Sequence, residues 1–177
     1  MLDREQVIFV PPDVREHARG RIGFEEIESP LVRRGLEYWQ RLCEGKRIPT
    51  RADLSPREMG SLLRNVVLMK VIGDGEDFEF RIVGDAHVIA HGFSMQGLRI
   101  SDVDSFSPGY GAVLKRLYDR VVRKAEPYAL RGWLERGDKH KKYIYTESAF
   151  MPLGQGEVVD HVFTVSVYVP RDGLEPV

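Results

Sequence analysis

Residues 38 to 84 read YWQRLCEGKRIPTRADLSPREMGSLLRNVVLMKVIGDGEDFEFRIVG, and the order of their elements decides the fold. A helix over about 30 to 43 runs into this stretch, with Val32, Leu36, Trp39 and Cys43 on one stripe and Gly45 just past its end. A linker carrying Pro49, Arg51 and Asp53 follows. Ser55-Pro56 then opens a short helix to about residue 63, because serine caps free amides and proline is pre-set for the first helical position. The Ser55-x-x-Glu58 spacing is that of a capping box, which predicts reciprocal bonds across the first turn. VVLMKVI, residues 66 to 72, is rich in β-branched side chains, and FEFRIVG, residues 78 to 84, alternates apolar and polar. With turn residues Gly73-Asp74-Gly75 between them, the two runs form a hairpin.

Working outward, Ser107-Pro108 starts a third helix over about 108 to 125. Tyr110, Val113, Leu114, Leu117, Tyr118, Val121 and Val122 recur there at helical spacing, with Lys115, Arg116, Asp119, Arg120 and Arg123 outside the stripe. Three further strands follow at 128 to 135, 143 to 153 and 158 to 169. Their connections, GDKHKK and GQGE, are too short for crossover helices, so these strands run antiparallel. Residues 1 to 28 read as an arm laid on the domain or on a partner, 29 to 170 as one domain including its flanking helix, and 171 to 177 as a loose tail.

Composition narrows the function. The chain has 177 residues, 42% hydrophobic and 30% charged, which suits one soluble domain with an ordinary core. No run approaches the roughly 18 apolar residues of a membrane helix, and the acidic, polar start MLDREQ is unlike a secretory signal, so a cytoplasmic location is expected. Cys43 is alone, which excludes an internal disulfide framework and any Cys-x-x-Cys site. A net charge of −1 sets up no field for nucleic acid or anionic lipid. The basic run Arg136, Lys139, His140, Lys141 and Lys142 sits on a hairpin tip without interleaved aromatics, and reads as a solvated loop.

In order and spacing, Tyr38-Trp39, Pro49 with Arg51 and Asp53, Pro56, Leu62-Leu63, Arg81 with Gly84, Gly92 with Gly97, Glu147, Pro152-Leu153 and Val159-Asp160 resemble a bacterial PAS-like family over about residues 31 to 169. The resemblance implies an α+β, PAS-like fold: a five-stranded antiparallel sheet of order 2-1-5-4-3, helices on one face enclosing a hollow, and an N-terminal flanking helix. It implies a stand-alone sensory or regulatory module binding a small molecule or a partner protein in signal transduction, and no catalytic role is assigned to it. Members commonly pair through a helix before the core. Leu31, Tyr38 and Leu42 widen the apolar face of the helix at 30 to 43, so part of that face is expected to stay exposed and to be buried, with part of the arm, in a homodimer.

Met69, Phe80, Phe93, Met95, Tyr118, Trp133 and Phe163 fall on elements that would surround such a hollow, and with His87 and His91 they are the pocket candidates. No cofactor and no metal is expected. A flavin photoreceptor needs a cysteine in the middle of the domain, whereas Cys43 precedes the first core strand. His87 and His91, four apart, share a helix face and could seat a haem or zinc, but two ligands make a weak site; alternatively one packs beside Phe93 while the other is solvated. Arg81, with Glu147 as a cross-sheet partner, forms a structural salt bridge or anchors an anionic ligand. Asp160 and His161 are expected to point to opposite faces of their strand and so not to bond each other. Two alternatives stand beside the sensor: a ligand-free scaffold, and a small isomerase or hydratase using His87, His91, Asp85 and His161 as acid and base. A closed cavity with one of these groups at its base favours the enzyme, and a filled or purely apolar one the sensor.

Overall fold

The computed structural model describes residues 7–9, 20–105, 107–136 and 143–170, including all side chains but those of 7–9, 133–136, 143–145 and 169–170. The elements run β1 (Val7–Phe9), β2 (Arg21–Ile22), α1 (Pro30–Leu42), α2 (Pro56–Met59), β3 (Val66–Ile72), β4 (Asp77–Val83), α3 (Asp85–His91), α4 (Ile100–Val103), α5 (Tyr110–Lys124), β5 (Tyr128–Arg136), β6 (Tyr143–Gln155) and β7 (Val158–Pro170). The five main strands lie in the order β4-β3-β7-β6-β5, all antiparallel, which is the expected 2-1-5-4-3. One addition was not anticipated. β1 and β2, from the arm, pair with residues 134–136 and 129–130 of β5 and occupy a sixth strand position. They cover an edge whose peptide groups would otherwise lack partners, and segments of three and two residues are too short to show alternation in sequence. The rest of the arm, the basic hairpin tip from 137 and the tail from 171 lie outside the described residues.

Side chains alternate across the sheet, which sorts each strand between two layers. On β6, Thr146, Ser148 and Phe150 share one face with Thr164, Ser166 and Tyr168 of β7, while Glu147, Ala149 and Met151 share the other with Phe163 and Val165. The first face lies under α3, α4 and α5, and the second under α1.

α1 begins where serine and proline predict it: the Ser29 hydroxyl accepts from the Val32 amide at 3.3 Å and Pro30 is the first helical residue. A β-carbon on Gly35 would stand 2.6 Å from Val165 Cγ2, so only glycine lets the helix lie this close to β7. Tyr38 meets Phe163 edge-on, and Trp39 donates its indole N–H to the Pro152 carbonyl at 2.8 Å. Val32, Leu36, Tyr38 and Trp39 are thus buried against the helix's own sheet, and Leu31, Leu42 and Cys43 are half-buried. Of the apolar face that was expected to stay exposed in part, only this margin of Leu31, Leu42 and Cys43 remains partly so. What α1 exposes is Pro30, Arg33, Arg34, Glu37, Gln40 and Arg41.

Two helix starts also differ from the sequence reading. Ser55 accepts from the Glu58 amide at 3.4 Å, but its own amide donates to the buried Tyr38 hydroxyl at 2.8 Å in place of the Glu58 carboxylate. α2 then stops after four residues, and a tighter 3-10 turn continues from Gly60, whose φ is +50°. α5 starts later than Ser107-Pro108 predicts, with Gly109 (φ +83°) as its cap. The Ser107 hydroxyl is left buried with no hydrogen-bond partner among the described residues.

The sheet face under α1 carries a buried ion pair. Arg131 on β5 stands opposite Glu147 on β6, and its Nε and Nη2 donate to Glu147 Oε2 at 3.0 and 2.7 Å. Glu147 also accepts from the amides of Glu28 and Ser29 at 3.1 and 2.8 Å, just before α1. Glu147 therefore pairs with Arg131 and not, as expected, with Arg81. No helix among the described residues is long and apolar enough to cross a membrane.

Candidate functional site

Between the sheet and the helices α3 and α5 lies a cavity of about 50 Å³. Its apolar wall includes Val67, Phe80, Met95, Leu114, Leu130 and Phe150; its polar wall consists of Thr146, Ser148, Thr164 and Ser166 from the strands and of three tyrosines and two histidines. Every lining residue is buried except Leu117, which is half-exposed, so the cavity comes nearest to solvent there. No lining side chain is charged.

The histidines get there through local rules. Gly84 lets the chain turn from β4 into α3 against the backbone of Arg64: a β-carbon would stand 2.2 Å from that carbonyl. α3 then runs seven residues before Gly92, at φ +82°, ends it. The spacing of four puts His87 and His91 on the helix face turned to the sheet, and both are buried.

Hydrogen bonding fixes both rings. His87 Nε2 lies 2.9 Å from the Asn65 carbonyl, which can only accept, so Nε2 carries the proton and Nδ1 accepts from the Tyr168 hydroxyl at 2.6 Å. His91 is reversed. Nδ1 donates to the His87 carbonyl at 2.9 Å, and Nε2 accepts from the Tyr110 hydroxyl at 2.9 Å. Burial pushes the pKa of His87 down to about 3 and of His91 to about 4, so both are neutral near pH 7. Burial likewise raises Tyr110, Tyr118 and Tyr168; neighbouring phenols add to the rise in Tyr110 and Tyr168, while the hydroxyls of Thr164 and Ser166 partly offset it in Tyr118 and Tyr168. Ser148 donates to Ser166 at 2.7 Å, and the Asn65 amide donates to the Ser166 carbonyl at 2.9 Å.

A family-wide sequence model described as PAS domain matches residues 27–163. The chain belongs to the PAS domain family. That match covers more than half of the chain and agrees with the sheet order and with helices over one face of it. No curated protein matches the chain. In general terms a PAS domain is a sensory or regulatory module.

Of the expected pocket residues, this PAS domain brings Phe80, His87, His91, Met95 and Tyr118 together around the cavity. Met69 is wholly buried in the core beside it, Phe93 packs half-buried against the core, and Phe163 faces α1 across the sheet. The Trp133 side chain lies outside the described residues. Arg81 is exposed and bonded to Glu79 at 2.5 Å, so it cannot anchor a ligand in the cavity. Neither histidine is solvated, against the reading in which one would be. Their lone pairs are taken by tyrosines, which leaves no ring nitrogen open to a haem or zinc in this arrangement. Among the described residues no three His, Cys, Asp or Glu are placed to hold a metal ion.

The acid and base candidates are not assembled. Asp85 is exposed and held by Arg64 Nε at 3.2 Å. His161 bonds Asp160 at 2.7 Å, against the expectation that the two would point apart. The register shifts between Leu153 and Gly154, leaving Asp160 as an extra residue opposite that step, and such a bulge turns its side chain out of the regular alternation.

Sequence reasoning missed the hydroxyls. The signal was present: YTESAF and FTVSVY place Thr146, Ser148, Thr164, Ser166 and Tyr168 at a period of two, on one face of otherwise apolar strands. A second hollow of about 250 Å³, between α4, α5 and the turn after β3, is wider but less enclosed. Three of its charged groups already have partners: Asp77 accepts from the Ser101 hydroxyl, Asp104 from the Gly111 amide, and Lys115 donates to Asp119 and the Gly75 carbonyl.

Proposed function

We propose that this PAS domain is a regulatory sensor that holds a small uncharged molecule in the cavity under α3 and α5 and passes occupancy on through its N-terminal flank. The observation carrying the reading is the enclosed cavity lined only by neutral groups, since an ionised ligand transferred there would meet no opposite charge. Its size limits the ligand. An apolar cavity of about 150 Å³ takes up benzene, whereas this one, at about 50 Å³, holds one or two waters or a few heavy atoms unless side chains move. The two histidines at the cavity meet the enzyme criterion in position only: a general base needs a free lone pair and a pKa near the working pH, and these have neither.

The route outward is short. Thr146 and Ser148 touch the cavity, and Glu147 between them holds the amides that lead into α1. A ligand that displaces β6 displaces that tether. Mass spectrometry of small molecules released from the natively purified protein tests the reading, beside a Ser148→Leu variant that fills the cavity. An uncharged compound of low mass should be recovered from the natural chain and lost from the variant; equal recovery from both sinks the proposal.

A further inference from the structure

The two histidines decide what kind of polar group the cavity can receive. Each phenol has one hydrogen, and in Tyr168 and Tyr110 that hydrogen is already donated, to His87 Nδ1 and His91 Nε2. Neither direction can reverse. Both imidazoles are held in opposite tautomers by backbone carbonyls, of Asn65 and of His87, which accept only. The Tyr110 and Tyr168 oxygens, in the wall of the cavity, are therefore left as acceptors, and the Tyr168 oxygen already has the Ser166 hydroxyl as a partner. Tyr118, beside them, is the phenol whose hydrogen is least committed, meeting Thr164 Oγ1 at only 3.5 Å. A buried acceptor without a donor is unfavourable, and nothing in the wall supplies one to Tyr110.

Resting on the cavity as the ligand site, we infer that it selects an uncharged hydrogen-bond donor, with an alcohol as the simplest fit: its O–H donates to Tyr110 and its oxygen accepts from Tyr118. Ketones and ethers of the same shape satisfy Tyr118 and leave Tyr110 bare. The histidines are positioning residues in this scheme. Their ring nitrogens are engaged and offer a ligand no hydrogen bond; they act by turning two tyrosines into acceptors.

The test uses 2-propanol and acetone, which share a skeleton of four heavy atoms, are both uncharged and differ in the donor. Each is titrated into the full chain, and binding is read from the shifts of the Leu114 and Val67 methyl signals and the Tyr110 ring signals. 2-Propanol should bind about threefold to tenfold more tightly than acetone, the range one net hydrogen bond supplies. In Tyr110→Phe the preference should shrink to near unity; the comparison in the natural chain stands whatever that variant's stability. Equal or tighter binding of acetone in the natural chain overturns the donor rule and leaves the cavity as a ligand site. Shifts from neither probe, in the natural chain and in Leu117→Ala with its widened mouth, overturn the ligand site and the donor rule together.

Discussion

Acid should destabilise this protein through two side chains in particular. His87 and His91 are buried, and burial lowers their pKa values to about 3 and about 4. An unfolded histidine titrates near 6.5. Below pH 6.5 the unfolded chain therefore binds protons that the folded chain refuses, and stability falls as pH drops from 6.5 toward the folded values. Taking the reference pKa for the unfolded state, each histidine removes about 2 kcal/mol between pH 7 and pH 5, and the pair about 4 kcal/mol. Domains of this size are stable by only about 5 to 15 kcal/mol. Carboxylates do not confuse this window, because unfolded Asp and Glu titrate near 4 and act below it. Urea unfolding at steps from pH 7 to 5 should show the free energy falling by about 2 to 3 kcal/mol per pH unit near pH 5.5. Ring-proton NMR on the folded protein supplies the site-specific reading: neither His87 nor His91 should shift between pH 7 and 5. A ring that titrates near 6.5 while the protein stays folded would refute the burial argument and the tautomer assignment with it.

Two other expectations concern the sheet face under α1. Glu147→Leu should cost about 3 to 5 kcal/mol in urea unfolding, the range for removing one member of a buried ion pair; Arg131→Met added to it should recover only part, because the Glu28 and Ser29 amides still lack their acceptor, and full recovery would show that the tether is not bound through Glu147. A homodimer through α1, which we propose from the resemblance alone, would use mainly that helix's polar and charged outer face, so light scattering should show it dissociating as salt rises to about 1 M, where screening acts within about 3 Å; a dimer indifferent to salt places the interface elsewhere.

What the sequence disclosed follows from where its signals are local. Ser29-Pro30 capped a helix, Gly73-Asp74-Gly75 turned a hairpin, and β-branched or alternating runs between short turns gave five strands, because each of these is settled by groups a few residues apart. The errors arose where a distant group won. Tyr38 took the Ser55 amide from Glu58, Gly109 displaced Ser107 as a cap, and Arg131 claimed Glu147 across β5 and β6, a pairing that needs the register to be known. The candidate site divides in the same way. The spacing of His87 and His91 put both on one helix face, yet their chemistry depends on Asn65, Tyr110 and Tyr168, which are 19 to 81 residues away from their partners. Sequence order alone could not tell a ligand-binding histidine from one whose nitrogens are all engaged. Nor could it tell which face of TES, residues 146 to 148, was which. The alternation was legible as two hydroxyls flanking a carboxylate, and only the cavity on one side and the α1 entry on the other make that tripeptide the place where ligand and flank meet.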